Sequence, residues 1–190
     1  MGELEWIAAA LGLANVVLLV RRSVWNYPFG MAMVALYVAV FWNARLYGEA
    51  GLQVFFFIAQ GWGWWLWLRA ETADTGVPVR WLDARSRTIW LLGIAVLAVN
   101  AGWLMHRFTN AAAPFIDGPI TVASIAAQIL LALRRTENWV LWIVIDVVSV
   151  GLYWWRGLYP TAGLYVVFLV LSGLGLREWM RFAVQGKAAA

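Results

Sequence analysis

The residues with the clearest potential for chemistry lie in the segment 137–149, which reads ENWVLWIVIDVVS. Four of its side chains follow one another at intervals of four, four and three residues and so share one face of an α-helix: Asn138, Trp142, Asp146 and Ser149. Asp146 lies near the middle of an otherwise apolar stretch. A carboxylate at such a depth in a membrane is costly and normally faces a bundle interior or a water-filled cavity. The spacing therefore predicts a ligand path along this face.

A second polar face is predicted in the third apolar segment. Its members are seven, four and three residues apart: Gln53, Gln60, Trp64 and Trp67. Gln60 is close to the middle of the segment, at the depth of Asp146. Indole faces stack on flat rings, amides form hydrogen bonds with ring substituents and hydroxyl groups, and a carboxylate offsets positive charge. The two faces together suit a flat, polar heterocycle, and Asp146 would also suit a cationic one.

Each of these residues also has a structural interpretation. Trp62 and Trp65 could serve only packing or interfacial anchoring, and Asn138 could stabilise the first turn of its helix. Asp146 could be a protonated or hydrogen-bonded structural residue. Hydrogen bonding between helices is the favoured role for the remaining polar residues of the apolar segments: Asn15, Asn100, Ser124, Gln128 and Ser172.

The elements that must position these faces are hydrophobic helices. The 190 residues are 64% hydrophobic and 13% charged, and the mean hydropathy is +0.74. A membrane-spanning helix needs about 20 apolar residues. Apolar runs of this order occupy 4–20, 27–43, 49–68, 88–106, 117–133, 138–154 and 160–178. We therefore expect one all-α integral membrane domain of seven transmembrane helices, with the lipid bilayer as a partner.

Prolines and a polar stretch between the apolar runs support this division into helices. Pro28, Pro119 and Pro160 fit helix starts, because the first-turn N–H has no intrahelical partner to lose. The stretch from Arg69 to Arg87 contains Gly, Pro and mixed charges, so it is predicted to be a solvated loop. The first segment opens with acidic residues rather than a basic region, so we expect it to remain as a helix and not to be cleaved as a signal peptide.

The basic residues predict the orientation. With the N-terminus outside, eleven of the fourteen Lys and Arg residues fall on the cytoplasmic side, and three fall outside: Arg45, Arg107 and Arg156. The C-terminus is then cytoplasmic. The net charge of +4 reflects these topology signals, so no nucleic-acid partner is expected. Interfacial anchoring is the favoured role for tryptophans near predicted helix ends: Trp25, Trp42, Trp81, Trp103, Trp155 and Trp179.

The sequence contains an internal repeat with an offset of 112 residues. Eleven of the 24 pairs between 46–69 and 158–181 are identical, where chance would give about two or three. The offset also pairs Arg22 with Arg134, Asn26 with Asn138 and Trp42 with Trp154. The repeat predicts two parallel three-helix halves, 1–69 and 115–181, separated by a linker loop and central helix at 70–110.

The two halves differ at the positions of the predicted binding faces. The offset pairs Asp146 with Val34, Gln60 with Ser172 and Gln53 with Tyr165. The two halves would thus share the same helices but line the predicted binding site with different side chains. Parallel repeats of this kind occur in transporters, whose substrate site lies near the midplane where the halves meet.

Other functional classes are disfavoured by the residues themselves. The sequence has no cysteine, Asp146 is the only Asp away from the ends of the predicted spans, and the spans have no paired carboxylates, so we expect no enzyme, cofactor or metal site. His106 is the single histidine and lies near a predicted helix end. The phosphate-binding motif GxxxxGK[ST] is absent from the sequence, so an ATP-driven role would need a partner protein. A homo-oligomer stays open.

Several motifs make the sequence recognisable. LYGEAGLQVFFF is followed by GWGWWLW, and ENWVLWIVIDVVSV is followed by GLY and a closing REW. In this order and spacing they resemble the PnuC family of bacterial vitamin transporters over nearly the whole chain. The resemblance implies a seven-helix fold of two three-helix repeats joined by a central helix, similar to SWEET transporters. It also implies uptake of nicotinamide riboside across the inner membrane by facilitated diffusion, with trapping by a cytoplasmic kinase.

The resemblance also implies substrate-binding residues. The family's Gln falls on Gln53, its tryptophans fall on Trp64 and Trp67, and its ENWxxW element falls on Asn138, Trp139 and Trp142. Two positions depart from the pattern for nicotinamide riboside carriers, because Gln60 and Asp146 each replace an Asn. Thiamine or another vitamin therefore stays open as the substrate, as does a role as the substrate-binding subunit of an ATP-driven importer.

Overall fold

The computed structural model describes residues 3–43, 47–70, 77–109, 113–155 and 159–188. Within these ranges the chain is all α-helical, with seven helices and no β-strand. The helices are α1 (Glu3–Val20), α2 (Asn26–Asn43), α3 (Tyr47–Leu68), α4 (Ala84–Phe108), α5 (Pro114–Ala132), α6 (Glu137–Trp155) and α7 (Tyr159–Ala188). The predicted apolar runs differ from these bounds by at most four residues, at 84 against 88, except that α7 continues past 178 to 188.

The helices carry their apolar side chains outward. Among the described residues, four helical segments are long and apolar enough to cross a membrane: Ala84–Phe108, Pro114–Ala132, Glu137–Trp155 and Ala162–Ala183. Large side chains such as Leu91, Val99 and Val170 are exposed, whereas the polar Gln60 and Asp146 are buried. This distribution fits a lipid solvent, in which backbone polar groups are satisfied within helices and polar side chains face the protein interior.

Six helices form a closed ring. Between the described residues, α1 packs on α2, α2 on α3, α3 on α5, α5 on α6, α6 on α7, and α7 on α1. α4 packs on α5, beside the ring. The 112-residue offset relates α1 to α5, α2 to α6 and α3 to α7. The two contacts that join the halves, α3 with α5 and α7 with α1, are therefore equivalent to each other.

The turns after α1 and α5 share an unusual geometry. Arg22 and Arg134 have φ angles of 57° and 59°, in the left-handed region where glycine is usual. In each turn two backbone N–H groups donate back into the helix, from Arg22 to Leu19 and Ser23 to Leu18, and from Arg134 to Leu131 and Arg135 to Leu130. Such a bond pair closes a helix as a Schellman motif. Burial lowers the pKa of both guanidinium groups.

Residues 77–82, here called the strap, cross the ends of both halves. The Arg22 guanidinium donates to the Val77 carbonyl at 3.3 Å. The Arg80 backbone N–H donates to the Arg134 carbonyl at 3.2 Å, and the Arg80 carbonyl accepts from the Thr136 N–H at 3.1 Å. Val77 and Val79 are buried. The expectation of a solvated loop is wrong for the strap, because backbone hydrogen bonds hold it against the bundle.

Side chains after the strap fix the start of α4. The Asp83 carboxylate caps the helix by accepting from the Ser86 N–H at 2.7 Å, and its bonds with Ser86 hold the pKa of Asp83 below its usual value. Glu137 Oε1 accepts from the Leu82 N–H at 2.9 Å and from Arg87 Nε at 2.8 Å. The strap and α4 are thereby tied to the first turn of α6.

Prolines mark two of the three helix starts that were predicted from them. Pro28 and Pro160 lie in the first turns of α2 and α7. α5 begins at Pro114, so Pro119 lies inside it and its prediction as a helix start is wrong. Pro119 is the sixth residue of α5, so it lacks the N–H that a residue at this position donates to the carbonyl four residues earlier.

Four aromatic side chains, here called the aromatic cluster, fill the ring next to the strap. Trp67 of α3 and Trp179 of α7 are fully buried, with ring centroids 5.9 Å apart. Tyr27 meets Trp67 edge-on at 5.3 Å, and Trp139 meets Trp179 edge-on at 5.6 Å. The offset relates Tyr27 to Trp139 and Trp67 to Trp179, so the two edge-on contacts involve corresponding residues. The interfacial role predicted for Trp179 is wrong, because its indole packs in this core.

Candidate functional site

Asp146 lies on the buried face of α6. It is 4% exposed, and its Oδ2 accepts a hydrogen bond from the Ser172 hydroxyl of α7 at 2.9 Å. Ser149, three residues further along α6, is also buried, whereas Val147 and Val148 are exposed. The polar face predicted for this helix is thus turned into the bundle, and the carboxylate has a neutral hydrogen-bond donor as its partner.

Gln60 occupies the position in the first half that corresponds to Ser172. It is buried and packs on the backbone of Gly30 in α2, where a β-carbon would overlap the Gln60 Oε1. The same β-carbon would lie 3.2 Å from Cγ of Asn15 in α1. The missing side chain at Gly30 therefore creates a niche that holds two amide groups, one from α1 and one from α3.

Trp142 corresponds to Gly30 in the second half. Its indole is half-buried and packs against the hydrophobic core that contains the aromatic cluster. Trp64 of α3 is likewise half-buried and packs against the same core. Corresponding positions of the two halves therefore carry different side chains. The first half has the amides of Asn15 and Gln60 next to Gly30, and the second half has the indole of Trp142 one helical turn from the carboxylate of Asp146.

Asn138 is held by its own turn. It is fully buried, and its Nδ2 donates to the Arg135 carbonyl at 2.6 Å. Asn26, its counterpart in the first half, donates to the Ser23 carbonyl at 2.7 Å. This matching bond favours the structural role for Asn138, and its contact with a ligand stays a prediction.

Trp67 is held by the opposite half. Its Nε1 donates to the Leu131 carbonyl of α5 at 3.2 Å, and Nε1 of its counterpart Trp179 donates to the Leu19 carbonyl of α1 at 3.3 Å. The two acceptors are themselves 112 residues apart. Trp67 is therefore part of the contact between the halves, and ligand contact by its indole stays a prediction.

Two tyrosines pack together on the side of Asp146 away from the strap. Tyr165 of α7 lies against Tyr153 of α6 with ring centroids 5.1 Å apart, and Asp146 is among the groups near Tyr165. Gln53, the counterpart of Tyr165, is half-buried in α3. Neither tyrosine was predicted as a site residue from the sequence, although the pairing of Tyr165 with Gln53 was the signal that could have found them.

The two predicted faces lie on different walls of the ring. Between the described residues α3 and α6 are not packed against each other, because α5 separates them. The structure brings Gln60 together with Asn15, and Asp146 together with Ser172. The interhelical bonding expected of Ser172 is confirmed. The prediction that a ligand lies between α3 and α6 stays open.

A bundle of apolar helices with buried polar side chains, whose sequence repeats at an offset of 112 residues, is typical of membrane transport proteins. The chain belongs to the nicotinamide mononucleotide transporter family, whose model matches residues 3–181. The family resemblance drawn from the sequence motifs is thereby confirmed, and the protein is a transporter rather than an enzyme.

Individual relatives agree with this assignment. The chain is 29% identical to the nicotinamide riboside transporter PnuC of Escherichia coli K12 over 95% of its own length and 87% of that protein. Identity is 33% to PnuC of Neisseria mucosa, over 92% and 71%. It is 28% to the riboflavin/roseoflavin transporter RibM of Streptomyces davaonensis, over 92% and 83%. The crystal structure of the vitamin B3 transporter PnuC matches with a TM-score of 0.79 at 28% identity, covering 96% of this chain and 82% of the other.

Proposed function

We propose that this protein carries nicotinamide riboside across the bacterial inner membrane by facilitated diffusion and so supplies NAD synthesis. The observation that carries this proposal is the buried Asp146 carboxylate, whose partner in the described residues is the neutral hydroxyl of Ser172. The pyridinium ring of nicotinamide riboside is flat and positively charged. It would pair with the carboxylate and stack on Trp142, one helical turn away.

The other predicted residues would complete this site between α3 and α6. Trp64 would stack on the substrate, and Gln53 and Gln60 would form hydrogen bonds with its polar groups. Asn138 and Trp67 would contact the substrate as well as hold the first turn of α6 and the contact between the halves. Nicotinamide riboside transporters among the relatives support this substrate.

The proposed architecture is two parallel three-helix repeats, 1–69 and 115–181, around a linker and central helix at 70–110, as in SWEET-like transporters. The equivalent contacts of α3 with α5 and of α7 with α1 support it. All seven helices would span the membrane, with the N-terminus outside and the C-terminus cytoplasmic, as the eleven-to-three distribution of basic residues favours.

This orientation gives the aromatic cluster and the strap a role in transport. Both would lie at the cytoplasmic end of the ring, where they close the path below Trp142. Release of substrate would then require one half to rock against the other, with separation of Trp67 from Trp179 and loosening of the strap.

A different vitamin is the second candidate. Thiamine carries a cationic thiazolium ring, which would also pair with Asp146. Riboflavin is favoured by the relative named as a riboflavin/roseoflavin transporter. Both have flat rings that an indole can stack on.

Uptake by the purified protein in liposomes tests the proposal. We expect nicotinamide riboside to equilibrate down its gradient without ATP, and at equal rates with and without a proton or sodium gradient. Uptake that needs added partner proteins would identify an importer subunit instead. Uptake of thiamine or riboflavin without uptake of nicotinamide riboside would replace the substrate.

A further inference from the structure

The niche over Gly30 contains a buried acceptor that the bundle does not use. Within the described residues, Oδ1 of Asn15 is shielded from solvent and has no hydrogen-bond partner. Asn15 lies in α1, which contributes no residue to the two faces predicted from the sequence. An unpaired amide oxygen in a membrane interior is unfavourable, because no lipid group can donate to it.

Asn15 lies beside Gln60, a proposed substrate contact. Both amides abut the side-chain position of Gly30, so α1, α2 and α3 meet at one point. The counterparts in the second half are Ala127 for Asn15 and Trp142 for Gly30. The amide niche is thus a feature of one half alone, because the corresponding positions of the other half hold an alanine and an indole.

We infer that Asn15 is a specificity-determining residue whose Oδ1 accepts a hydrogen bond from an N–H or O–H group of the substrate. The inference rests on the proposed transport function. A donor group on the substrate would form a hydrogen bond with the acceptor only when the site is occupied. The free energy of that bond would therefore contribute to the affinity for the substrate and to its selection over ligands that lack the donor. Nicotinamide riboside offers two such donors, the carboxamide N–H and the ribose hydroxyls. Nicotinic acid riboside, with a carboxylate in place of the carboxamide, lacks the first.

The test measures binding of three ligands to purified full-length protein by calorimetry. They are nicotinamide riboside, nicotinic acid riboside and the 2′,3′-dideoxy analogue of nicotinamide riboside. Asn15→Leu keeps the branched shape of the side chain and removes the acceptor, Asn15→Ala removes the acceptor without adding volume, and Asn15→Ser restores an acceptor. Asn100→Leu is the matched control, because Asn100 lies in α4 beside the ring and donates to the Val96 carbonyl at 2.7 Å.

We expect Asn15→Leu to bind nicotinamide riboside about tenfold more weakly, which corresponds to about 1.4 kcal/mol. If the carboxamide is the donor, the variant also loses the preference over nicotinic acid riboside. If the 2′- or 3′-hydroxyl of the ribose is the donor, it loses the preference over the dideoxy analogue, and an equal loss for all three ligands assigns the 5′-hydroxyl, which all three carry. Asn15→Ser should recover part of the affinity, and Asn100→Leu should bind as the wild type does.

Unchanged affinities and preferences in Asn15→Leu would overturn the inference while leaving the transport function intact. Should Asn15→Leu not fold, Asn15→Ala gives the same comparison. If the wild type does not bind nicotinamide riboside, the proposed substrate fails, and the variants are compared with thiamine and riboflavin, which also carry donors. A wild type that binds none of these ligands would overturn both proposals.

Discussion

Trp67 and Trp179 meet across the bundle with their ring centroids 5.9 Å apart, and each indole N–H donates to a carbonyl near the end of a helix in the opposite half. The two residues are 112 positions apart, as are their acceptors Leu131 and Leu19. One contact is therefore made twice, and it ties α3 to α5 and α7 to α1. Any motion of one half against the other must change this pair.

Replacing either indole with a phenyl ring tests that relationship. Trp67→Phe and Trp179→Phe each remove one N–H donor, but the carbonyl acceptors keep backbone donors from the following turn. We expect each variant to lose about 1 kcal/mol of unfolding free energy, and the two losses to be similar. Thermal unfolding of the purified protein measures them. Trp65→Phe, at an exposed position on the same helix, should have no effect, and strongly unequal losses would contradict the equivalence of the halves.

The repeat is an identity of residues at a fixed offset in the sequence, and several of its pairs make similar contacts in the structure. Trp67 with Trp179 and Arg22 with Arg134 are such pairs, and the helix bounds followed from the apolar runs between polar turns. The left-handed backbone of the two arginines could not be predicted, since glycine is the usual signal for that conformation. In each turn, two backbone hydrogen bonds stabilise this conformation at an arginine.

The site was less predictable than the fold. Helical spacing correctly predicted that Asp146 faces the interior of the bundle, but spacing within one helix does not identify the residues of other helices that contact it. The Ser172 partner and the Asn15 niche depend on how α1, α2 and α7 pack. The burial of the strap could not be predicted for a related reason. Val77 and Val79 lie in a polar stretch of sequence, and the strap is held by hydrogen bonds to Arg22 and to the turn before α6.

Close packing of glycine under the aromatic cluster gives a second prediction. A β-carbon on Gly175 would lie 2.5 Å from the Trp139 ring, whereas one on Gly173 would have no atom within 4 Å. Gly175→Ala should therefore lose about 1–3 kcal/mol of stability through overpacking, and Gly173→Ala should lose none. Thermal unfolding in detergent compares the two. Equal stability of both variants would mean that the cluster is looser than the structure shows.

Gly63 extends the test to the first half. Its β-carbon would lie 2.7 Å from the Tyr27 hydroxyl oxygen, while one on Gly61 would come no closer than 3.9 Å to Met31. Gly63→Ala should destabilise the protein, and Gly61→Ala should not.

The strap provides a third prediction, which a cysteine-free chain makes easy to test. Val79 is buried and Pro78 beside it is exposed. In inside-out vesicles, a membrane-impermeant maleimide should label Pro78→Cys quickly and Val79→Cys slowly. If the strap loosens when the cytoplasmic end opens, nicotinamide riboside should change the labelling rate of Val79→Cys and leave that of Pro78→Cys unchanged. Equal, substrate-independent labelling would exclude a role for the strap in closure.

Stacking on the proposed substrate gives a fourth prediction. Trp142→Ala and Trp64→Ala should each weaken binding of nicotinamide riboside by about 0.5–2 kcal/mol through loss of ring stacking, without unfolding the bundle. Trp154→Ala is the control, because Trp154 lies in α6 like Trp142 but is exposed on the outside. Calorimetric titration measures the affinities. Unchanged affinity in both Trp142→Ala and Trp64→Ala would contradict a binding site between α3 and α6.

The final prediction concerns the charge of Asp146. If the carboxylate pairs with a cationic ring, Asp146→Asn should weaken nicotinamide riboside about tenfold or more, which corresponds to about 1.4 kcal/mol or more. The reduced form of the riboside has nearly the same shape and no ring charge, so its affinity should change less. Ser172→Ala removes the hydroxyl that donates to Asp146 but keeps the charge, and it should preserve the preference for the charged ligand.

Titrating the wild type and both variants with the charged and reduced ribosides, thiamine and riboflavin separates the interpretations. Equal losses for charged and neutral ribosides in Asp146→Asn would make Asp146 a structural residue, because only an ion pair distinguishes the two ligands. Tight binding of thiamine with no binding of either riboside would change the substrate but keep the charge pairing. A preference for riboflavin that survives Asp146→Asn would instead assign recognition to stacking on the indoles, since riboflavin carries no positive charge for the carboxylate to offset.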